Sequence, residues 1–171
     1  MKRVIFTLFA ALTVVLVHAE LQPPERTLRP VADESNVVID RGAKLEVFAN
    51  QRALPKADTS GRVVAHQLVP ARPADPIGPR RLGVLFNHAE QQQGYITGEI
   101  TFKVKDGHTF SGSPALYPGL KEITKPAVYV VNARTPGEFI TLLKRLQARS
   151  DLAWVEPTIT YGRADTTLII R

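Results

Sequence analysis

The sequence predicts an α+β fold in which an antiparallel sheet packs on one or two helices. Three observations support this prediction. Residues 96–105 alternate apolar and polar side chains, as a half-buried strand does. Residues 135–149 carry the end signals and the apolar stripe of a helix. Two apolar runs, 127–132 and 152–155, flank that helix and predict strands on either side of it.

The first nineteen residues have the pattern of a secretory signal peptide. Lys2 and Arg3 precede the apolar stretch 4–17, which is shorter than the ~20 residues that a membrane-spanning helix needs. Ala19 supplies the small residue of a cleavage site. We expect cleavage after Ala19, a periplasmic or secreted mature chain from residue 20, and no stable membrane anchor afterwards. The alternative is an uncleaved anchor helix.

Charge and composition exclude some classes of partner. The chain has 22 basic and 16 acidic residues and a net charge of +6, and its basic residues are spread along its length. Because a nucleic-acid binder concentrates basic side chains on one segment or face, we predict no nucleic-acid partner. The chain contains no cysteine, so its stability must come from an apolar core without disulfides, although export would permit them.

The N-terminal half predicts a β-rich extension followed by a spacer. Within residues 20–68, the runs 37–39 and 45–48 flank a turn, and 62–65 forms a third short strand candidate. In the segment 69–81, four prolines fall three residues apart, at positions 70, 73, 76 and 79. This is the repeat of a polyproline II helix, so the segment predicts a stiff extended spacer. A PxxP ligand is the alternative interpretation.

Residues 82–163 predict the α+β domain. The apolar run 82–86 indicates a first strand, and the alternating strand 96–105 ends at Asp106-Gly107. Residues 107–126 contain three glycines and three prolines, which favour a loop. The continuous apolar run 127–132 is typical of a central strand. After the helix the chain resumes as a strand, and Pro157 predicts an interruption there, at a sheet edge or an exit.

The N-terminal end of the helix has clear signals in the sequence. Thr135 can cap it, Pro136 suits its first position, and Glu138 completes a T-x-x-E capping box. The apolar residues after the cap have helical spacing and form one face of the helix: Phe139, Leu142, Leu143 and Leu146.

No residue pattern predicts catalysis, a metal site or a cofactor. His66, His88 and His108 show no metal-ligand spacing. His88 could pair with the carboxylate of Glu90, but no nucleophile accompanies them, and a surface turn explains them equally. The serines of residues 111–113 lack the G-x-S-x-G elbow of a hydrolase, which favours a loop. We therefore predict that the protein is not an enzyme and acts on another protein.

The chain ends in an extended apolar tail, residues 164–171, with Leu168, Ile169, Ile170 and Arg171 as candidate partner-binding residues. A β-branched apolar segment at a chain end is an aggregation hazard if it stays open. Two resolutions remain. The tail pairs with the domain's own sheet as an edge strand, or it adds as a strand in a partner's cleft with Arg171 as the terminal anchor.

Residues 127–157, AVYVVNARTPGEFITLLKRLQARSDLAWVEP, resemble the second half of the subtilisin propeptide-like inhibitors. Residues 98–107, GEITFKVKDG, resemble the opening strand of such propeptides, and together the matches cover roughly half of the mature chain. The resemblance implies a ferredoxin-like βαββαβ domain. Only about twenty residues separate the opening strand from Ala127, so the first helix and second strand of that order are shortened, displaced or missing.

We expect no protease domain to follow residue 171, where this sequence ends. The chain therefore most resembles the free-standing external chaperones of secreted subtilisin-like serine proteases (the ASP external chaperone family). The resemblance implies that the protein helps such a protease fold and inhibits it. It also implies that Glu156 caps a protease helix and that residues 168–171 enter the active-site cleft. The alternative is a periplasmic structural or adaptor domain that binds a non-protease partner.

Overall fold

The computed structural model describes residues 36–124 and 127–162. The described residues form eight strands and one helix: β1 Val37–Asp40, β2 Ala43–Ala57, β3 Val63–Pro70, β4 Leu82–Asn87, β5 Gln92–Val104, β6 Lys121–Thr124, β7 Val128–Asn132, α1 Pro136–Gln147 and β8 Leu152–Tyr161. All eight strands belong to one sheet, and each described pairing is antiparallel. This confirms the α+β class. The βαββαβ order is matched only from β7 onward, because the described residues between β5 and β7 contain no helix.

Strand β5 is the centre of the sheet. The sheet order is β1-β2-β4-β5-β7-β6, with β3 also pairing to β2 and β8 also pairing to β5. Residues 92–96 of β5 pair with β4, and residues 99–103 pair with β7. Strand β8 pairs with both stretches of β5. Strand β8 therefore follows one edge of β5, while β4 and β7 lie end to end along the other edge.

Gly98 stands where β5 passes from β4 to β7. Its φ is +95°, a conformation that L side chains rarely adopt. The Ala133 N–H donates to the Gly98 carbonyl at 2.8 Å. A Cβ at position 98 would lie 2.2 Å from the Ala133 carbonyl oxygen. Only glycine therefore allows this close approach, which fixes the chain just before the helix begins.

The predicted helix is confirmed, with its cap. It spans Pro136–Gln147, and the Thr135 hydroxyl accepts a hydrogen bond from the Glu138 N–H at 3.2 Å. The Glu138 carboxylate reaches back to the Arg134 N–H at 2.6 Å, one residue before the cap. The apolar stripe of the helix is buried at Phe139, Leu142, Leu143 and Leu146. It packs on the face of β5 that carries Ile100, Phe102 and Val104, and this interface is the main core.

The N-terminal strands extend the same sheet. Strand β2 pairs with β4, so β1, β2 and β3 continue the sheet that contains β5. Strand β2 runs from Ala43 to Ala57, well beyond the run 45–48 that the sequence indicates. A second, smaller apolar cluster joins these strands to β5 through Ala53, Leu82, Val84 and Tyr95.

The prediction of a stiff spacer over residues 69–81 is wrong. Strand β3 continues to Pro70, and the chain then folds into a tight loop. The Asp75 N–H donates to the Arg72 carbonyl at 3.0 Å, and Gly78 bridges to Arg81. A proline has a backbone carbonyl but no N–H. A loop can therefore contain several prolines when other groups donate hydrogen bonds to its carbonyl oxygens.

Arg52 supplies those donors. Its side chain is fully buried on β2. Its guanidinium donates at 2.6–3.4 Å to the carbonyl oxygens of residues 49, 51, 72, 73 and 75. Burial lowers the pKa of Arg52, with nearby Arg81 adding to the effect and Asp75 opposing it. Arg52 thus ties the loop to β2, and the ion pair between Arg81 and Asp75 adds a contact within the loop.

Within the described residues, no helix combines the length and hydropathy needed to cross a membrane. The predicted signal peptide, residues 1–19, lies outside the described residues.

We expect Gly98→Ala to destabilise the protein more than Gly107→Ala does. Both glycines have positive φ, which should cost an alanine about 1–2 kcal/mol. A Cβ at Gly107 would meet nothing within 4 Å, whereas one at Gly98 would strike the Ala133 oxygen. The clash should add about 1–3 kcal/mol. Urea unfolding of both variants measures the difference, and equal losses would show that the close approach is not a constraint.

We expect Arg52→Met to cost about 3 kcal/mol of unfolding free energy, because it leaves buried carbonyl groups without donors. Arg62→Met, at an exposed position in the β2–β3 turn, is the matched control and should change stability by less than about 0.5 kcal/mol. Limited proteolysis should also cut the Arg52 variant first within residues 71–81. Wild-type resistance there would contradict the role given to this side chain.

Candidate functional site

The W-V-E-P motif lies within β8. The structure corrects the prediction that Pro157 interrupts this strand, because β8 is continuous from Leu152 to Tyr161. Pro157 instead opposes Ile100 at an irregularity in the β5–β8 register. The predicted edge position is confirmed: among the described strands, β8 pairs only with β5. A proline is tolerated there because an edge strand does not need every N–H in a ladder.

The motif divides its side chains between the two faces of the sheet. Val155 opposes Phe102 and packs against the main core. Trp154 opposes Lys103, and Glu156 opposes Thr101. Since successive side chains of a strand point to opposite faces, Trp154 and Glu156 lie on the face away from the core. Trp154 is 39% exposed and the Glu156 side chain is 47% exposed.

Glu156 has an ion-pair partner that sequence reasoning missed. The guanidinium of Arg41, in the β1–β2 turn, donates to the Glu156 carboxylate. The two residues are 115 positions apart, and only the folded sheet brings them together. Because both side chains are largely exposed, the pair contributes little to stability. Its effect is to place a positive charge beside the acid of the motif.

Arg41 and Glu156 border a cleft of about 360 Å³. Its walls are the β1–β2 turn, the C-terminal end of α1 and residues 152–156 of β8. The Gln147 amide donates to the Ile39 carbonyl at 2.7 Å, which ties the helix end to β1. Arg149 also lines the cleft, and it forms a bidentate pair with Asp151 at 2.9 and 2.6 Å. The cleft is therefore bounded on three sides by elements that a hydrogen bond and an ion pair hold in place.

Asp40 is a partly buried acid in the wall of the cleft. Burial raises the pKa of Asp40 above its usual range, Arg41 opposes this shift, and Glu156 adds to it. Burial therefore disfavours the ionised form of Asp40 more than Arg41 favours it. A cation brought into the cleft beside Asp40 would favour its ionised form.

The structure also places the histidine and serine candidates of the sequence analysis. His88 lies 2.9 Å from a carboxylate oxygen of the buried Glu46, a partner that the sequence did not indicate. Within the described structure, no hydrogen bond or ion pair joins His88 to Glu90. No serine or threonine hydroxyl hydrogen-bonds to this pair among the described residues. The serines of residues 111–113 lie in the loop that follows β5. No group of three potential metal ligands occurs in the described part of the chain.

The tail candidates Leu168, Ile169, Ile170 and Arg171 lie outside the described residues. The last described residues, 161 and 162, lie against neighbouring strands. The buried Asn87 amide donates to the Tyr161 hydroxyl at 2.9 Å. A Cβ at Gly162 would meet the rings of Tyr95 and His66 at 3.1 and 3.3 Å.

No protein-family model, curated protein or solved structure matches the chain. The functional assignment therefore depends on the geometry of β8 and its surroundings, together with the resemblance of the motifs.

We expect Asp40→Asn to stabilise the protein at pH 7. Because the pKa of Asp40 is higher in the folded protein than in the unfolded chain, the folded state binds the proton more tightly. Ionisation therefore lowers the free energy of unfolding as the pH rises through the folded-state pKa. The variant avoids this loss, and its advantage should disappear below the usual value of 3.8.

Asp58→Asn is the control of opposite sign. Hydrogen bonds from the Ser60 hydroxyl and the Arg62 N–H lower the pKa of Asp58. Its ionised form therefore favours the folded state, and the substitution should destabilise the protein at pH 7, with the loss fading as the pH falls. Urea unfolding at pH 7 and pH 3 compares both variants. A destabilised Asp40→Asn variant at pH 7 would contradict the assignment of Asp40 as a poorly compensated charge.

Proposed function

We propose that the protein is an exported chaperone and inhibitor that assists the folding of a separately encoded subtilisin-like serine protease. The observation that carries the proposal is the geometry of β7, α1 and β8. The helix covers one face of this part of the sheet, and Trp154, Glu156 and Lys103 are partly exposed on the other. An open sheet face that displays the acid of the W-V-E-P motif is the surface that the propeptide resemblance requires.

The open face would pack on surface helices of the protease. A carboxylate on such a face stabilises the N-terminus of a facing helix, where N–H groups lack partners and the dipole is positive. Glu156 would fill this role by leaving its ion pair with Arg41 and binding the N-terminus of a protease helix instead. The exchange costs little, because the Arg41–Glu156 pair is exposed on both sides.

Binding of this kind would explain both activities. A subtilase contains a parallel sheet with many non-local contacts, so it folds over a high barrier. A partner that binds the native arrangement also stabilises it by mass action, by about 2.7 kcal/mol at a hundredfold excess over Kd. Inhibition would follow from insertion of the tail, residues 168–171, into the active-site cleft as a product does. Arg171 suits a protease that prefers basic residues.

One observation favours a second candidate, a periplasmic structural or adaptor domain. Strands β1, β2 and β3 extend the sheet beyond the segments that resemble propeptides. A larger sheet could present the same open face to a partner that is not a protease.

Co-expression with exported subtilases that need help to fold tests the proposal. We expect a gain of protease activity, and stoichiometric inhibition of the mature enzyme by the purified mature protein. Deletion of residues 166–171 should weaken inhibition at least tenfold. Glu156→Gln should weaken binding about fivefold, which corresponds to ~1 kcal/mol at a helix terminus.

Glu90→Gln, in the exposed turn between β4 and β5, is the matched control and should leave inhibition unchanged. If no subtilase gains activity or binds, while another exported protein binds through the same face, the adaptor function replaces the chaperone function. Full inhibition by the truncated protein would exclude the tail mechanism alone.

A further inference from the structure

The cleft beside β8 borders an open strand edge. Five consecutive residues of β8, 152–156, line it. Successive side chains of a strand point to opposite faces, so a consecutive run can line one cleft only where the edge of the strand borders it. Among the described strands, that edge of β8 has no partner, because β8 pairs only with β5. An unpaired edge offers N–H and C=O groups to another extended chain.

The charges around the cleft favour a cation. Asp40 and Glu156 contribute carboxylates, and the C-terminal end of α1 adds the negative end of its dipole. Arg149 is paired with Asp151, and Arg41 is paired with Glu156. Among the described residues, this leaves Asp40 as the carboxylate of the cleft wall without an ion-pair partner. Trp154 lines the same cleft, and an indole ring attracts an ammonium or guanidinium group placed over its face.

We propose that this cleft binds an extended segment of a partner protein that carries an arginine or lysine. The segment adds as a strand to the open edge of β8, with its cationic side chain beside Asp40 and Glu156 and a neighbouring apolar side chain on Trp154. Main-chain hydrogen bonds supply the affinity in this mode, and the side-chain pocket supplies the specificity. The cleft volume of about 360 Å³ fits one or two side chains.

Charge argues against a second copy of the chain as the occupant. Antiparallel pairing of two β8 edges around this cleft would bring Glu156 and Asp40 of one copy toward the same carboxylates of the other. Like charges placed opposite each other destabilise a strand pair. This proposal goes beyond the chaperone function, since it concerns strand addition at the edge of β8 and requires no protease, although Trp154 and Glu156 belong to both surfaces.

The single tryptophan of the chain, Trp154, reports directly on the cleft. The purified mature protein is titrated with the capped peptide acetyl-Thr-Val-Arg-Val-Thr-amide while its fluorescence is followed. Amide chemical shifts provide a second measurement. We expect saturable binding, with the largest shift changes at residues 152–156. A peptide with glutamate in place of arginine should bind at least tenfold more weakly, and so should one that is N-methylated at alternate residues.

Asp40→Asn and Glu156→Gln should each weaken binding of the arginine peptide at least threefold, whereas Glu90→Gln should not change it. Absence of binding in both measurements, or equal binding of the arginine and glutamate peptides, would overturn the proposal. Equal binding of the N-methylated peptide would overturn strand addition. If deletion of residues 166–171 raised the affinity more than tenfold, the chain's own tail would be the occupant instead of a partner. The titration contains no protease, so its outcome is independent of the chaperone test.

Discussion

The contact between Gly98 and Ala133 is the constraint on which the rest of the sheet depends. Along one edge, strand β5 pairs first with β4 and then with β7. The change of partner occurs at Gly98, which has positive φ. The hydrogen bond from the Ala133 N–H to Gly98 anchors the chain two residues before the cap, Thr135. The start of the helix is therefore set by the bend of β5. The helix then covers the core, and β8 returns along the remaining edge of β5.

Features that depend on neighbouring residues could be predicted from the sequence. The helix has its cap at Thr135 and its stripe at local spacing, and both are as predicted. The alternation of β5 is equally local, and the buried positions Ile100, Phe102 and Val104 follow it. In both segments the spacing of the apolar residues matches the period of the secondary structure. Local preference and tertiary contacts therefore favour the same structure.

Features that depend on distant residues could not be predicted. The proline spacing in the segment 69–81 is compatible with two structures. One is an extended spacer, and the other is a loop whose carbonyl oxygens accept hydrogen bonds from a side chain elsewhere in the fold. The difference is made by Arg52, some twenty residues earlier in the chain. The pair of Arg41 and Glu156 likewise requires the complete sheet. The motif drew attention to Glu156, but neighbouring residues carry no signal for its partner Arg41, for Asp40 or for the cleft.

The hydrogen bond between Asn87 and Tyr161 has a geometric consequence for anything that the tail binds. It holds the end of β8 to the end of β4, so the last nine residues of the sequence, 163–171, start from a fixed point. A chain of that length can span at most about 30 Å. Under the proposed tail mechanism, the protease cleft that receives Arg171 must therefore lie within that radius of Gly162.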